Sequence, residues 1–308
     1  MEIGEALIEK DYWLTHTLWA IQHSGLEIYF KGGTSILKGF HLIERFSEDI
    51  DAWVKRGTID DLPEVTHWTR TSKGHVQSRK AFYEALPEHL EIPGTTIELD
   101  QESFPENAIS AIFFVHYPGM HLRNLTGPNR PYIQLEVGYT EIIPNVRITI
   151  SSFVHDYLEK LGRLVDFKDN RPHHLPTVHP LSTLIEKLDA ISRRYRRDGE
   201  DFAPASFVRH YEDAARIIRG LDALPPLDES PHELAAQMHG RKQIRWIPSP
   251  EDDAFVLRNP EKKRAVKGAH AAIEHMFWGK RIQLDEVNAE IRRWLKERSF
   301  GARAGRES

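Results

Sequence analysis

Cysteine is absent from all 308 residues of this chain. Its absence excludes disulfides, thiolate zinc sites and cysteine nucleophiles, and it agrees with a cytoplasmic setting. Also missing is any apolar run approaching the roughly 18 residues that a membrane-spanning helix needs, so no membrane partner is expected. The opening residues, MEIGEALIEKDYWLTH, are charged and amphipathic, unlike a secretory signal or an Arg-rich transit peptide. Positive charge is not in excess. A net charge of −5 argues against a general nucleic-acid coat, although a local basic patch still attracts phosphates whatever the total. There are no internal repeats. What remains is a globular composition, 40% hydrophobic and 28% charged, on a chain long enough for two domains with separate cores.

Residues 30–51, FKGGTSILKGFHLIERFSEDID, carry the most chemistry. After the apolar run Ile28-Tyr29-Phe30 come two glycines, Gly32 and Gly33, and two hydroxyls, Thr34 and Ser35. A helix-compatible stretch follows, and then Asp49-Ile50-Asp51. In a strand, residues two apart share a face, so the two aspartates are expected to project into one site. Such a pair of like charges calls for a cation, most simply Mg²⁺ held by carboxylates and substrate phosphates. A glycine turn entering a helix supplies backbone N–H groups for a phosphate. Together these features point to phosphoryl or nucleotidyl transfer.

Apolar spacing predicts a helix over 3–22, then strand 27–31, helix 34–40 and strand 48–54. A helix over 68–90 and strands at Ala111–Val115, Tyr132–Val137 and Val146–Ile150 complete an α/β half. The proline-rich run DFKDNRPHHLPTVHP at 166–180 loses periodicity and reads as a crossing between domains. Helices are expected at 181–197, 204–219, 231–239, 262–278 and 282–297. The resulting division is a core over 1–165, the crossing at 166–180, a helical domain over 181–299 and a disordered tail at 300–308.

Further candidates come from register. Glu136 alternates with Ile133, Leu135 and Val137, so it projects opposite the core, where a third carboxylate would let a second cation bind. Ser47, two residues before Asp49, points with the aspartates if the strand begins that early. Leu184, Leu188, Ile191 and Tyr195 make one helical stripe with Lys187 at its edge, where an aliphatic stem lies on the core and the ammonium points outward. On the next helix, Phe207, Tyr211, Ala214 and Ile218 form the apolar stripe, and Asp213 lies on its flank.

The run FKGGTSILKGFHLIERFSEDID resembles the first motif of the AbiE-type (AbiEii/AbiGii) abortive-infection toxin nucleotidyltransferases, within the DNA-polymerase-β-like superfamily. The stretch His179–Asp189, with Lys187, resembles that family's lysine motif, and Asp213 matches an aspartate in a following helix. Glu9-Lys10-Asp11-Tyr12-Trp13 is also similar to the family, with no role assigned beyond packing its aromatics. The resemblance implies an α+β, two-lobed protein with a mixed sheet in the N-terminal lobe and a helical C-terminal domain completing a nucleotide cleft. It implies Ser47, Asp49, Asp51, Lys187 and Asp213 as the catalytic set. It further implies Lys31, Gly32, Gly33, Thr34, Ser35 and Lys187 as nucleotide ligands, either hydroxyl taking the phosphate-binding part, and Asp49, Asp51 and Glu136 as metal ligands. The implied reaction is Mg²⁺-dependent transfer of a nucleotide from a nucleoside triphosphate to an RNA acceptor, the 3′ end of tRNA, by the toxin of a bacterial toxin–antitoxin pair with a cognate antitoxin protein. Asp213 would orient a basic residue or accept a proton. Arg193–Arg197 and Lys262–Arg264 are candidate RNA contacts. The alternatives are an enzyme of the same fold acting on a small molecule and a non-catalytic binding protein.

Overall fold

The computed structural model describes residues 4–54, 59, 61–121, 130–140 and 144–300. The tail over 301–308, which the sequence reads as disordered, lies outside them. The chain is α+β and forms two compact units: Met1–Phe40 with Ser47–Val178, and His41–Phe46 with His179–Ser308. No described helix is long and apolar enough to cross a membrane.

The first unit runs α1 (Glu5–His23), β1 (Ile28–Lys31), α2 (Gly32–Lys38), β2 (Ile50–Val54), α3 (Lys73–His89), β3 (Thr96–Leu99), β4 (Ser110–His116), β5 (Ile133–Tyr139), β6 (Asn145–Ile148), α4 (Phe153–Lys160) and β7 (Leu175–Val178). Its seven strands form one mixed sheet in the order β3-β4-β5-β2-β1-β7-β6. β2 pairs antiparallel with β1 and parallel with β5, so the strand carrying Asp51 sits at the middle of the sheet. One sheet face is apolar, with Phe30, Ile50, Phe113 and Ile133 wholly buried beside Leu14, Leu18 and Ile21 of α1. Arg79 of α3 is also wholly buried, and its guanidinium donates to the carbonyls of His67, Arg70, Asn107 and Ala108.

Several sequence expectations shift. β2 begins at Ile50, so Ser47, Glu48 and Asp49 precede the strand. The helix expected from 68 starts at Lys73. β3, β7 and α4 were not anticipated from the sequence. β7 lies inside the run read as a crossing, where Pro176 and its neighbours hide the alternation. It nevertheless pairs with β1 on one side and β6 on the other.

The second unit holds α5 (Pro180–Tyr195), α6 (Arg209–Gly220), α7 (Pro231–Gly240), α8 (Asp253–Val256), α9 (Pro260–Ala272) and α10 (Leu284–Glu297). α5 starts where it does because His179 caps it, its Nδ1 accepting from Leu181 N at 3.1 Å, and Pro180 fits the first helical position. Leu184, Leu188, Ile191 and Tyr195 are buried as their spacing requires. Around α6 the expected stripe is buried at Phe207, Tyr211 and Ala214, but its last member is Ile217 rather than Ile218. The face also takes Glu212 and Asp213 into the interior. The segment His41–Phe46 belongs here, with Arg45 bridged to Phe277 and Trp278 N donating to the Glu44 carbonyl at 3.0 Å. Phe300, placed in the tail by sequence, is buried against Trp294.

Candidate active site

In the first unit the acidic face is built by strand register. β2 alternates with Ile50, Ala52 and Val54 buried and Asp51 and Trp53 facing the other way. β5 alternates in step, and the parallel pairing sets Asp51 opposite Glu136. Paired residues of adjacent strands share a face, so these two carboxylates stand side by side. Lys31, the register partner of Asp51 on β1, adds a cation on the same face. Its ammonium lies 4.0 Å from the centroid of the Trp53 ring. Trp53 in turn lies over Gly138, where an added Cβ would come within 2.5 Å of the ring.

Gly32 carries a left-handed backbone, with φ +81°. An added Cβ there would collide with the Asp51 carboxylate. The glycine therefore serves two needs, a turn that disfavours other residues and space for the acidic side chain. Gly32→Ala is expected to cost about 1–3 kcal/mol of stability from backbone strain alone and to displace Asp51. Thermal unfolding together with a nucleotide-transfer assay checks this, and unchanged values in both would remove Gly32 from the site.

Asp49 is positioned differently from Asp51. The Thr34 hydroxyl donates to the Asp49 carbonyl at 2.5 Å and lies 2.9 Å from Ser47 Oγ. The Ser35 hydroxyl donates to the Gly32 carbonyl at 2.9 Å. Thr34 and Ser35 are both fully buried; the Thr34 hydroxyl ties α2 to the segment before β2 and that of Ser35 braces the first turn of α2 itself, whereas Lys31, Gly32 and Gly33 remain partly exposed. Glu48 points to α1, where it is ion-paired with the buried Lys10. Burial pulls the Lys10 ammonium below its usual pKa, and the charges of Glu48 and Asp49 oppose that shift. Lys10 also donates to the Arg130 carbonyl at 2.7 Å. Next to it, Asp11 is ion-paired with the buried Lys38 of α2 and accepts from Phe153 N at 2.8 Å, at the start of α4.

The donors on this face are carboxylate oxygens, which suit a hard divalent cation. Among the described residues no three His, Asp or Glu side chains converge into an all-protein cage. A cation held by fewer carboxylates is completed by substrate phosphates and water, the usual manner for Mg²⁺.

In the second unit, Asp213 is wholly buried and accepts from three donors. Arg45 grips it through Nε at 2.8 Å and Nη2 at 2.7 Å, and Lys187 Nζ lies 2.8 Å away. Arg45 also donates to the Phe46 carbonyl at 3.0 Å. Burial alone would raise the Asp213 pKa, but Arg45 and Lys187 overcome it and hold the carboxyl far below its ordinary range. Burial lowers the Lys187 pKa, against the attraction of Asp213. Of the two roles read from sequence for Asp213, this geometry favours orienting basic residues over accepting a proton. Arg45, which sequence reasoning passed over, lies inside the motif four residues before Asp49. Its presence there was the available signal.

The basic clusters are also placed. Lys262 of α9 donates to the Tyr195 and Arg197 carbonyls at 2.9 and 2.8 Å, capping the end of α5. That contact brings Arg193–Arg197 and Lys262–Arg264 together, with Arg196, Arg197, Lys263 and Arg264 exposed.

Comparison with curated proteins and with solved structures gives no match. One family model does match, over residues 16–290, and it spans both the acidic face of the first unit and the Lys187–Asp213 pair of the second. With this match over most of its length, the chain belongs to the family of nucleotidyl transferase AbiEii toxins of type IV toxin–antitoxin systems.

Proposed function

We propose that this nucleotidyltransferase toxin transfers a nucleotide from a nucleoside triphosphate to RNA, with tRNA 3′ ends as the acceptor, and that it needs Mg²⁺. The observation carrying the metal assignment is the register that sets Asp51 opposite Glu136, next to the glycine turn. Asp49, Asp51 and Glu136 would hold the cation, which when bound offsets charge on the phosphate oxygens. Lys31, Gly32 and Gly33 face the phosphates. Thr34 and Ser35 fix the turn, and through it Ser47 and Asp49. Lys187, oriented by Asp213, supplies positive charge for the triphosphate and for the departing pyrophosphate. As a member of a toxin–antitoxin family the chain works with a cognate antitoxin.

RNA is favoured as acceptor over a small molecule by the juxtaposed basic turns, since phosphate contacts position a nucleic acid without reading its sequence. The test is a labelled-nucleotide transfer assay with each of the four triphosphates and total tRNA. Replacing Arg196, Arg197, Lys263 and Arg264 with Gln is expected to weaken RNA binding and flatten its salt dependence. On single-stranded RNA the log–log slope should fall by about 0.7 for each phosphate that the variant no longer neutralises. Label on no RNA with any triphosphate would make the small-molecule reading the better one.

A further inference from the structure

Two ion pairs tie α1 to the segment before β2 and to α2. Lys10 and Asp11 are adjacent on α1, and each is paired with a residue flanking the carboxylate site, Glu48 and Lys38 respectively. Lys10 is 1% exposed and Asp11 is 4% exposed. Buried pairs of this kind contribute little net stability, because desolvation offsets the attraction, and apolar replacements often serve as well. Their best-attested use is to specify an arrangement. Here the arrangement specified is that of Ser47, Glu48 and Asp49. These residues precede β2 and are held by Thr34 on one side and Lys10 on the other.

We propose that Lys10 is a positioning residue of the divalent-cation site that acts through its charge: held beside Asp49 by its ion pair with Glu48, it limits the repulsion between Asp49 and Asp51 before a cation binds. This inference rests on the assignment of Asp49 as a metal ligand. Lys10 touches neither substrate nor metal. Glu48, the residue next to Asp49, holds it in place, and it acts through the field it exerts on Asp49. The Asp11–Lys38 pair does the corresponding work for α2, whose Thr34 holds the Asp49 carbonyl.

Because the two partners carry opposite charges, the proposal makes opposite predictions for them. Mn²⁺ binding to the full chain, measured by calorimetry without nucleotide, reads the site independently of turnover. Lys10→Met removes a cation near Asp49 and is expected to tighten Mn²⁺ binding several-fold. Glu48→Gln leaves the Lys10 charge unopposed and is expected to weaken binding by a similar factor. The double variant Lys10→Met/Glu48→Leu replaces the pair by apolar groups. It is expected to unfold at a temperature close to the wild type yet transfer nucleotide on the order of a hundredfold more slowly. A purely structural role predicts otherwise: both single variants weaken Mn²⁺ binding, and activity returns with stability in the double variant. Either result would overturn the proposal. Asp49→Asn in the same titration separates this inference from the assignment beneath it. If that variant binds Mn²⁺ as the wild type does, the metal site itself is misplaced. If it loses Mn²⁺ while Lys10→Met and Glu48→Gln move together, only the positioning role fails.

Discussion

Asp49→Asn and Asp51→Asn should each reduce nucleotide transfer on the order of a thousandfold or more, while the fold survives. Neither change alters side-chain volume. Each removes one negative charge from a place where two, with Glu136 as Asp51's register partner, stand on or beside one strand. On the proposed metal assignment the site loses its attraction for a cation, and relief of like-charge repulsion keeps unfolding temperature at or above the wild-type value. The biological correlate is direct. Induced alone in bacteria, the wild-type chain should arrest growth, as its family membership implies, and the Asp49→Asn chain should be harmless. A well-folded Asp49→Asn protein with near-normal transfer would show that the acidic pair is structural.

The second large effect concerns stability. Asp213 balances Arg45 and Lys187 in a wholly buried setting. Asp213→Asn leaves both cations inside without their counter-charge, and breaking a buried pair from one side costs about 3–5 kcal/mol. Denaturant unfolding should show that loss, whereas Lys187→Met keeps the two-pronged contact with Arg45 and should cost much less. Lys187→Met should nonetheless weaken triphosphate binding in calorimetry while sparing Mn²⁺ binding at the acidic face. The same carboxylate carries a pH signature. Its pKa is depressed by folding, so its contribution is complete above the unfolded value of about 4. The contribution falls away as pH drops through the folded value, which lies far lower. Acid unfolding of the wild type should therefore begin below pH ~4, and Asp213→Asn should lose that portion of the pH dependence. Equal stability of Asp213→Asn and wild type would contradict the burial of this charge.

Sequence patterning reached the acidic face of the sheet more readily than the contacts that support it. The glycine turn and Asp49–Asp51 stand within one continuous run, and the alternation around Glu136 placed it opposite the core of β5, as the register confirms. The face of α5 was also legible from its spacing. Periodicity could not show which distant residues would meet. Nothing in the local pattern of Lys10, Asp11 or Lys38 distinguishes a buried ion pair from surface charge, since the pairs span 27 and 38 positions. β7 escaped notice because Pro176 masks a strand whose alternation occupies only four residues. The hydroxyls of Thr34 and Ser35 looked like phosphate ligands because a hydroxyl beside a glycine turn reads the same whether it faces a ligand or the protein backbone.

The excursion of His41–Phe46 into the second unit has a consequence for how the chain can be divided and made. No single cut of the backbone yields both units entire. A fragment beginning at His179 lacks Arg45, so its Asp213 keeps only Lys187, and a fragment ending at Val178 carries six residues whose packing partners are missing. On the ribosome the same arrangement imposes an order. The second unit cannot reach its final form until its last helices emerge, although its first residues were synthesised more than a hundred positions earlier. Until then Arg45 waits without its carboxylate, four residues from Asp49. The segment bearing that aspartate thus adjoins a residue whose partner is made far later, and Arg45 meets Asp213 only once synthesis has passed α6.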